Sequence, residues 1–300
     1  MVKEAVQRLN KNKKDELNFL YTDALIYGPD KLYSVLSELF TVMLRHGFTS
    51  DIFNLVVFSP LIKDRRKNIN SSDNYRAIAL NSCFSKLFDY VILNFLNDLF
   101  STSDYQFAFK KDYSTTMCSF MVTETIQYYK NKGSNVIASL LDFSKAFDRV
   151  KYDKLFSILF SKNLCPLVLR MLIVFYSNVE AYVKWKGYKS SRFKINNGVK
   201  QGGVISPCLF IIYIDYLITR INNTGVGCYI GNKCSSIFVY ADDVILLAPT
   251  KSSMSRLLTV CEEFETEFGL KFNVDKCEVI NLGTNFNDVK FKLNGHFFGK

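Results

Sequence analysis

Two adjacent aspartates, Asp242 and Asp243, interrupt the run Ser236–Ala248 (SIFVYADDVILLA), which otherwise has the apolar character of buried strand. An uncompensated carboxylate in such surroundings is costly, and two like charges side by side repel as well. Two arrangements answer this. The pair can form a solvent-facing hairpin tip, where Asp-Asp is an ordinary turn choice. It can instead hold a cation such as Mg²⁺, whose hard charge prefers carboxylate oxygens. A third acid bears on the choice, because Asp142 closes a second apolar run, Val136–Leu141 (VIASLL). If the two runs lie side by side, Asp142 and Asp242 converge although they are far apart in sequence. Carboxylates bridging two divalent ions suit an in-line phosphoryl displacement. One ion activates the attacking hydroxyl, and the other steadies the departing pyrophosphate. Asp148 is a further acid nearby. Its spacing from Asp142 predicts a place in the following helix, capping or pairing with a base.

The elements that must position these acids read as an α+β chain. Leu32, Val35, Leu36, Leu39, Phe40, Met43 and Leu44 follow Pro29-Asp30 at helical spacing and stop at Gly47. Residues 54–63 (NLVVFSPLIK) read as a strand in which Pro60 marks an edge or an ending. A polar turn over 65–73 leads to a second strand, Tyr75–Leu80. An amphipathic helix follows, with Phe84, Leu87, Phe88, Val91, Ile92, Phe95 and Leu99 on one face. Ser114 is placed to cap a helix that runs to Gly133. Beyond Asp142 the pattern predicts helices over 144–163 and 166–179, then a hairpin around Gly187. Ser206-Pro207 reads as a serine cap with proline at the first helical position. Strands over 237–240 and 244–247 meet at Ala241-Asp242-Asp243. A helix over 252–268 closes at Gly269, and short strands over 271–274 and 278–282 follow. The order predicts a sheet with helices on one face.

Composition narrows the setting. Hydrophobic residues make up 48% and aromatics 15% of 300 residues, enough for a globular interior. Thirty-eight Lys and Arg against 28 Asp and Glu leave a net charge of +10, which favours a polyanionic partner. None of the eight cysteines forms a C-x-x-C pair and there are two histidines, so a structural zinc site has little support. Most of the cysteines read as small core residues in a reducing compartment. The charged N-terminus has no signal-peptide core, and the apolar stretch 204–218, broken by Pro207 and Asp215, is too short to span a bilayer. A nuclear or cytoplasmic protein is expected. Nothing fixes its oligomeric state.

Three segments then stand out together: 141–148 (LDFSKAFD), 197–207 (NGVKQGGVISP) and 240–243 (YADD). They resemble the successive palm motifs of reverse transcriptases. Upstream, 74–80 (NYRAIAL) and 106–115 (QFAFKKDYST) resemble the fingers motifs of the non-LTR, LINE-type branch. Downstream, 269–277 (GLKFNVDKC) and 293–295 (LNG) are similar to its last palm motifs. The resemblance extends from about residue 31 to 300, with these motifs in the family's order. It implies a right-hand polymerase, an RNA-directed DNA polymerase of a non-LTR retrotransposon. Residues 1–135 would be rich in fingers and residues 136–300 would form the palm, a mostly antiparallel sheet backed by helices. Fingers-associated helices would occupy about 150–200. The family's thumb, which follows the last motif, is not expected here, nor is a preceding endonuclease domain.

The resemblance also implies roles. Asp142, Asp242 and Asp243 would ligate two Mg²⁺ ions, with Mn²⁺ as a substitute, assisted by the Phe143 carbonyl. Phe147 would lie under the incoming sugar and obstruct a 2′-hydroxyl, the group that separates ribonucleotides from deoxynucleotides. Gln201 and Gly202 would form the backbone approach to the nascent base pair. Lys63 and Arg76 would clasp the triphosphate, Lys276 would protonate the leaving pyrophosphate, and the partners would be RNA template, DNA primer and deoxynucleoside triphosphates. Lys110, Lys111, Lys130, Lys132, Lys184, Lys186 and Arg192 are candidates for phosphate contacts. Tyr182, Trp185 and Tyr188 could stack on bases or face the core. The chain departs from the pattern at 13–19 (KKDELNF), where a glycine-rich segment is usual, and at Ala108 and Asp112, where glycines are usual. Such departures leave a second reading: a catalytically silent remnant that at most binds nucleic acid. An intron maturase or an RNA-synthesising polymerase is a third, and Phe147 argues against RNA synthesis.

Overall fold

The structure is a computed structural model describing all residues except 16, 18, 19, 98–101, 284–289 and 300. Leu99 and part of the departing segment 13–19 thus lie outside the described residues. Contacts divide the chain into two compact units, each made of two stretches. Unit 1 takes residues 1–99 and 152–209, and unit 2 takes 100–151 and 210–300. Residues 100–135, grouped by sequence with the N-terminal part, pack in unit 2.

Unit 1 opens with α1 (Val2–Gln7), α2 (Thr22–Ile26), α3 (Asp30–His46) and α4 (Asp51–Asn54). Helix α3 ends as expected at Gly47, whose φ of 66° only glycine adopts cheaply. Its buried stripe is narrow, Leu36, Phe40 and Met43, while Val35 and Leu39 are exposed. Strands β1 (Leu55–Ile62) and β2 (Tyr75–Leu80) pair antiparallel, and α5 (Cys83–Leu96) follows, with Ser82 Oγ accepting the Ser85 N–H. Pro60 falls where β1 has outrun its other neighbour, so its missing N–H breaks no ladder.

Helix α6 (Thr115–Asn131) begins unit 2, with Ser114 Oγ accepting the Met117 N–H as expected, and leads to β3 (Ile137–Asp142). The predicted helix over 144–163 is shorter. Lys145 sits at φ 52°, residues 146–149 make a 3₁₀ turn that carries Asp148, and only Tyr152–Ser161 is α-helical (α7). A left-handed residue cannot propagate an α-helix. In unit 1, α7 packs on α8 (Pro166–Ser177), followed by β4 (Glu180–Trp185), β5 (Tyr188–Lys189) and β6 (Phe193–Lys194). The sheet runs β2-β1-β4-β5, with β6 also on β4. Only β1 and β4 are parallel.

Helix α9 (Ser206–Asn222) is buried almost all round. Ser206 is the first helical residue and not the one before it, so the expected serine cap is not made. Unit 2 then adds β7 (Tyr229–Ile230), β8 (Lys233–Cys234), β9 (Ile237–Tyr240), β10 (Asp243–Ala248), α10 (Lys251–Phe268), β11 (Glu278–Asn281), β12 (Phe291–Leu293) and β13 (His296–Phe298). The expected strand over 271–274 is a single bridge, Phe272 to Phe143, followed by a 3₁₀ turn. The central sheet, β11-β3-β10-β9, is antiparallel throughout. Ala138, Phe238 and Leu247 join α6 in one apolar cluster, and Ile137, Val239 and Leu246, of opposite parity, are equally buried. Helices on one face would leave that second set in water. Both faces are covered.

Candidate active site

Strand β3 is apolar but for the buried Ser139 until its last residue because it is buried on both faces, and Asp142 stands where that burial ends. Strands β9 and β10 form a tight hairpin whose turn holds Ala241, at φ 57°, and Asp242. Antiparallel register sets Asp243 directly opposite Asp142, so their side chains share one face of the sheet. The hairpin has an unpredicted support. Gln106, fully buried, accepts the Ala108 N–H (2.9 Å) and the Ala241 N–H (3.4 Å) with one side-chain oxygen. Its neighbours Tyr105 and Phe107 exchange backbone bonds with Val239. The 106–115 motif therefore braces the outer edge of β9. Within that motif, Asp112 adopts φ 64°, as the usual glycine would, whereas Ala108 does not.

Burial first, then Asp242 and Asp142, push the Asp243 carboxyl above its ordinary pKa, and Lys276 opposes them. Lys276 reaches the group from a 3₁₀ turn tied to β3 by the Asn273 N–H on the Asp142 carbonyl. Its Nζ donates to Asp142 Oδ2 at 2.9 Å. Phe143 stacks on Phe272 with ring centres 4.2 Å apart. Backbone bonds flank that bridge, so the Phe143 carbonyl is not spent on it. Phe147 is held between Phe210, stacked at 4.5 Å, and Phe109, edge-on at 6.5 Å. Asp142, Asp242, Asp243, Lys276, Phe143 and Phe147 thus belong to one unit.

Among the described residues no three His, Cys, Asp or Glu side chains are gathered tightly enough to enclose a metal ion, and one Asp142 oxygen is engaged by Lys276. The donors nevertheless fit a hard divalent cation. They are all oxygen, and Asp243 is raised by burial first and then by its two acidic neighbours, which a cation would offset.

Lys63, Arg76, Gln201 and Gly202 lie in unit 1. Arg76 is on β2 and exposed; Lys63 follows β1, its Nζ on the Asp73 carbonyl at 2.8 Å. The Gln201 carbonyl accepts the Ala79 N–H at 2.7 Å. Gly202 has φ 96°, and a Cβ there would stand 3.3 Å from the Ala79 carbonyl. Strand β2 or its hairpin thus gathers all four. Tyr182 is buried and faces the core, as one of the two expectations had it, while Trp185 and Tyr188 are 49% and 82% exposed. Sequence reading missed Asp89 and Lys200, which are buried together in unit 1, and Asp215, which accepts the Ser103 N–H. For Asp89 and Asp215 a charge inside an apolar run was the one visible signal, and Lys200, between Val199 and Gln201-Gly202, carries none.

Solved structures establish the type of fold. Apo telomerase from Candida tropicalis, truncated from the C-terminal domain, superposes with a TM-score of 0.57 at 14% identity, covering 92% of this chain and 60% of that one. The reverse transcriptase (RNA-dependent DNA polymerase) model matches residues 63–296, and the chain belongs to that family. A Pol polyprotein of the type-1 retrotransposable element R2 of Nasonia vitripennis is 30% identical over 61% of this chain. The RNA-directed DNA polymerase of the mobile element jockey of Drosophila melanogaster is 25% identical over 98%. The expected resemblance to non-LTR retrotransposon enzymes is borne out. The chain spans 17% and 33% of the length of these two relatives.

Proposed function

We propose that the chain is the fingers and palm of an RNA-directed DNA polymerase, unit 1 corresponding to the fingers and unit 2 to the palm. It would extend a DNA primer on an RNA template with deoxynucleoside triphosphates. One observation carries this reading: Asp142 and Asp243 face each other in register at the end of a buried antiparallel sheet, with Asp242 in the adjoining turn. Two Mg²⁺ or Mn²⁺ ions, when bound, would activate the primer 3′-hydroxyl and neutralise charge on the triphosphate. Asp142, Asp242 and the Phe143 carbonyl would hold them, with Asp243 beside.

The other residues act by position. Lys276, beside Asp142, delivers a proton to the departing pyrophosphate. Phe147, its ring plane fixed by Phe210, blocks a 2′-hydroxyl. Gln201 and Gly202 present bare backbone to the nascent pair, while Arg76 and Lys63 bind the triphosphate as a fork and a point charge. No described helix is long and apolar enough to cross a membrane.

Primer extension on poly(rA)·oligo(dT) with dTTP and Mg²⁺, comparing the chain with Asp242→Ala, tests the reading. Extension by the unaltered chain alone supports both the activity and the site. A folded chain that binds RNA and extends nothing returns the assignment to a silent nucleic-acid-binding remnant.

A further inference from the structure

Lys200 and Val204 bracket the loop that carries Gln201, Gly202 and Gly203, and both meet one carboxylate. Asp89, on α5 and 2% exposed, takes a main-chain hydrogen bond from Val204 and is attracted by the Lys200 ammonium. Lys200 is 6% exposed, and its Nζ is enclosed without a hydrogen-bond partner, 4.0 Å from the Phe175 ring centre. The same loop is pinned to β2 through Ala79, and a Cβ on Gly203 would come within 2.6 Å of Ser206 Oγ. A buried ammonium and carboxylate that make no hydrogen bond to each other are a poor way to hold a core together. Apolar replacements of similar size are commonly neutral or stabilising. What the pair does supply is a fixed charge at each end of the loop.

We propose that Asp89 and Lys200 are positioning residues that hold the Gln201–Gly203 loop in the geometry the incoming nucleotide requires. This inference rests on the polymerase reading above. Burial raises Asp89 to about 6 against the pull of Lys200, Val204 and Lys86, and burial lowers Lys200 to about 8 against the pull of Asp89. Both are charged between those values. Tyr176 of α8 also faces Asp89, and Tyr152 of α7 and Cys208 of α9 lie beside it. Burial pushes all three far up, so they stay neutral throughout this range. The clamp is therefore whole near neutral pH. It fails below about 6, when Asp89 gains a proton, and above about 8, when Lys200 loses one.

The test measures KM for dTTP and kcat across this pH range for the unaltered chain, Lys200→Met, Asp89→Asn and the pair Lys200→Met with Asp89→Leu, with the melting temperature of each. The paired replacement Lys200→Met with Asp89→Leu should melt no lower than the unaltered chain, whereas Lys200→Met alone strands the buried Asp89 carboxylate and should melt lower. In both, KM should be about tenfold higher at neutral pH, with most of the loss in KM rather than kcat. That disadvantage should shrink toward both ends of the range. A lower melting temperature with unchanged KM, or a KM defect identical at every pH, overturns the proposal. If the unaltered chain extends nothing, the polymerase reading fails separately. Amide exchange over residues 200–204 then decides the clamp: faster exchange in the paired replacement upholds it, and equal rates remove it.

Discussion

At the scale of single residues, the three aspartates set function against stability. Asp243 sits with its pKa raised by burial and by two like neighbours. A carboxyl whose folded pKa lies above its unfolded value adds stability at low pH, and that stability is lost as pH rises through the folded value. Asp242→Asn removes one of the repelling charges. It should abolish extension by roughly a thousandfold or more while raising the melting temperature at pH 7, with a flatter acid-side dependence in a thermal melt series. A lower melting temperature would show that the turn needs the carboxylate. Lys276→Met makes the opposite trade. Freed of its ion pair, Asp142 should bind Mg²⁺ at a lower half-saturating concentration in extension assays while kcat falls. Unchanged half-saturation would mean that Lys276 does not compete for the site. The aspartates were legible in the sequence because charge inside an apolar strand has no cheap explanation. Asp89, Lys200 and Gln106 were not, since each is satisfied or strained by a residue remote in sequence, and only the fold supplies the partner.

At the scale of elements, β2 is the part of unit 1 to which the Gln201–Gly203 loop is pinned. Gly202→Ala forces a side chain into a left-handed backbone and against the Ala79 carbonyl. A cost of about 1–2 kcal/mol is expected in urea unfolding, with a raised KM for nucleotide. A neutral effect on both would mean that the loop is not held there. Periodicity revealed most of these elements, because α3, α5, α6 and α10 each bury a stripe and begin or end on a capping residue. It failed over 144–151, where Ser144 bonds to Lys271 and a left-handed Lys145 redirects the chain beside the aspartates. It failed again at the sheet's second face, which alternation in a fully apolar strand cannot reveal. In the first case a backbone bond to a segment remote in sequence overrode propensity.

At the scale of the whole chain, a net charge of +10 should make RNA binding strongly salt-dependent. About four phosphate contacts would weaken affinity roughly a hundredfold between about 50 and 200 mM salt, readable by filter binding. A flat salt response would exclude a phosphate-led interface. The interleaved units have a further consequence, in time. Strand β3 is complete at Asp142, but its two neighbours, β10 and β11, begin only at Asp243 and Glu278. At a synthesis rate of roughly 5–20 residues per second, the first neighbour leaves the ribosome about 5–20 s after β3. For that interval an apolar strand has both edges open, able to pair with another nascent chain. The yield of folded protein should therefore depend on elongation rate and on chaperones that shield such edges, and on these more than on the final stability of the sheet.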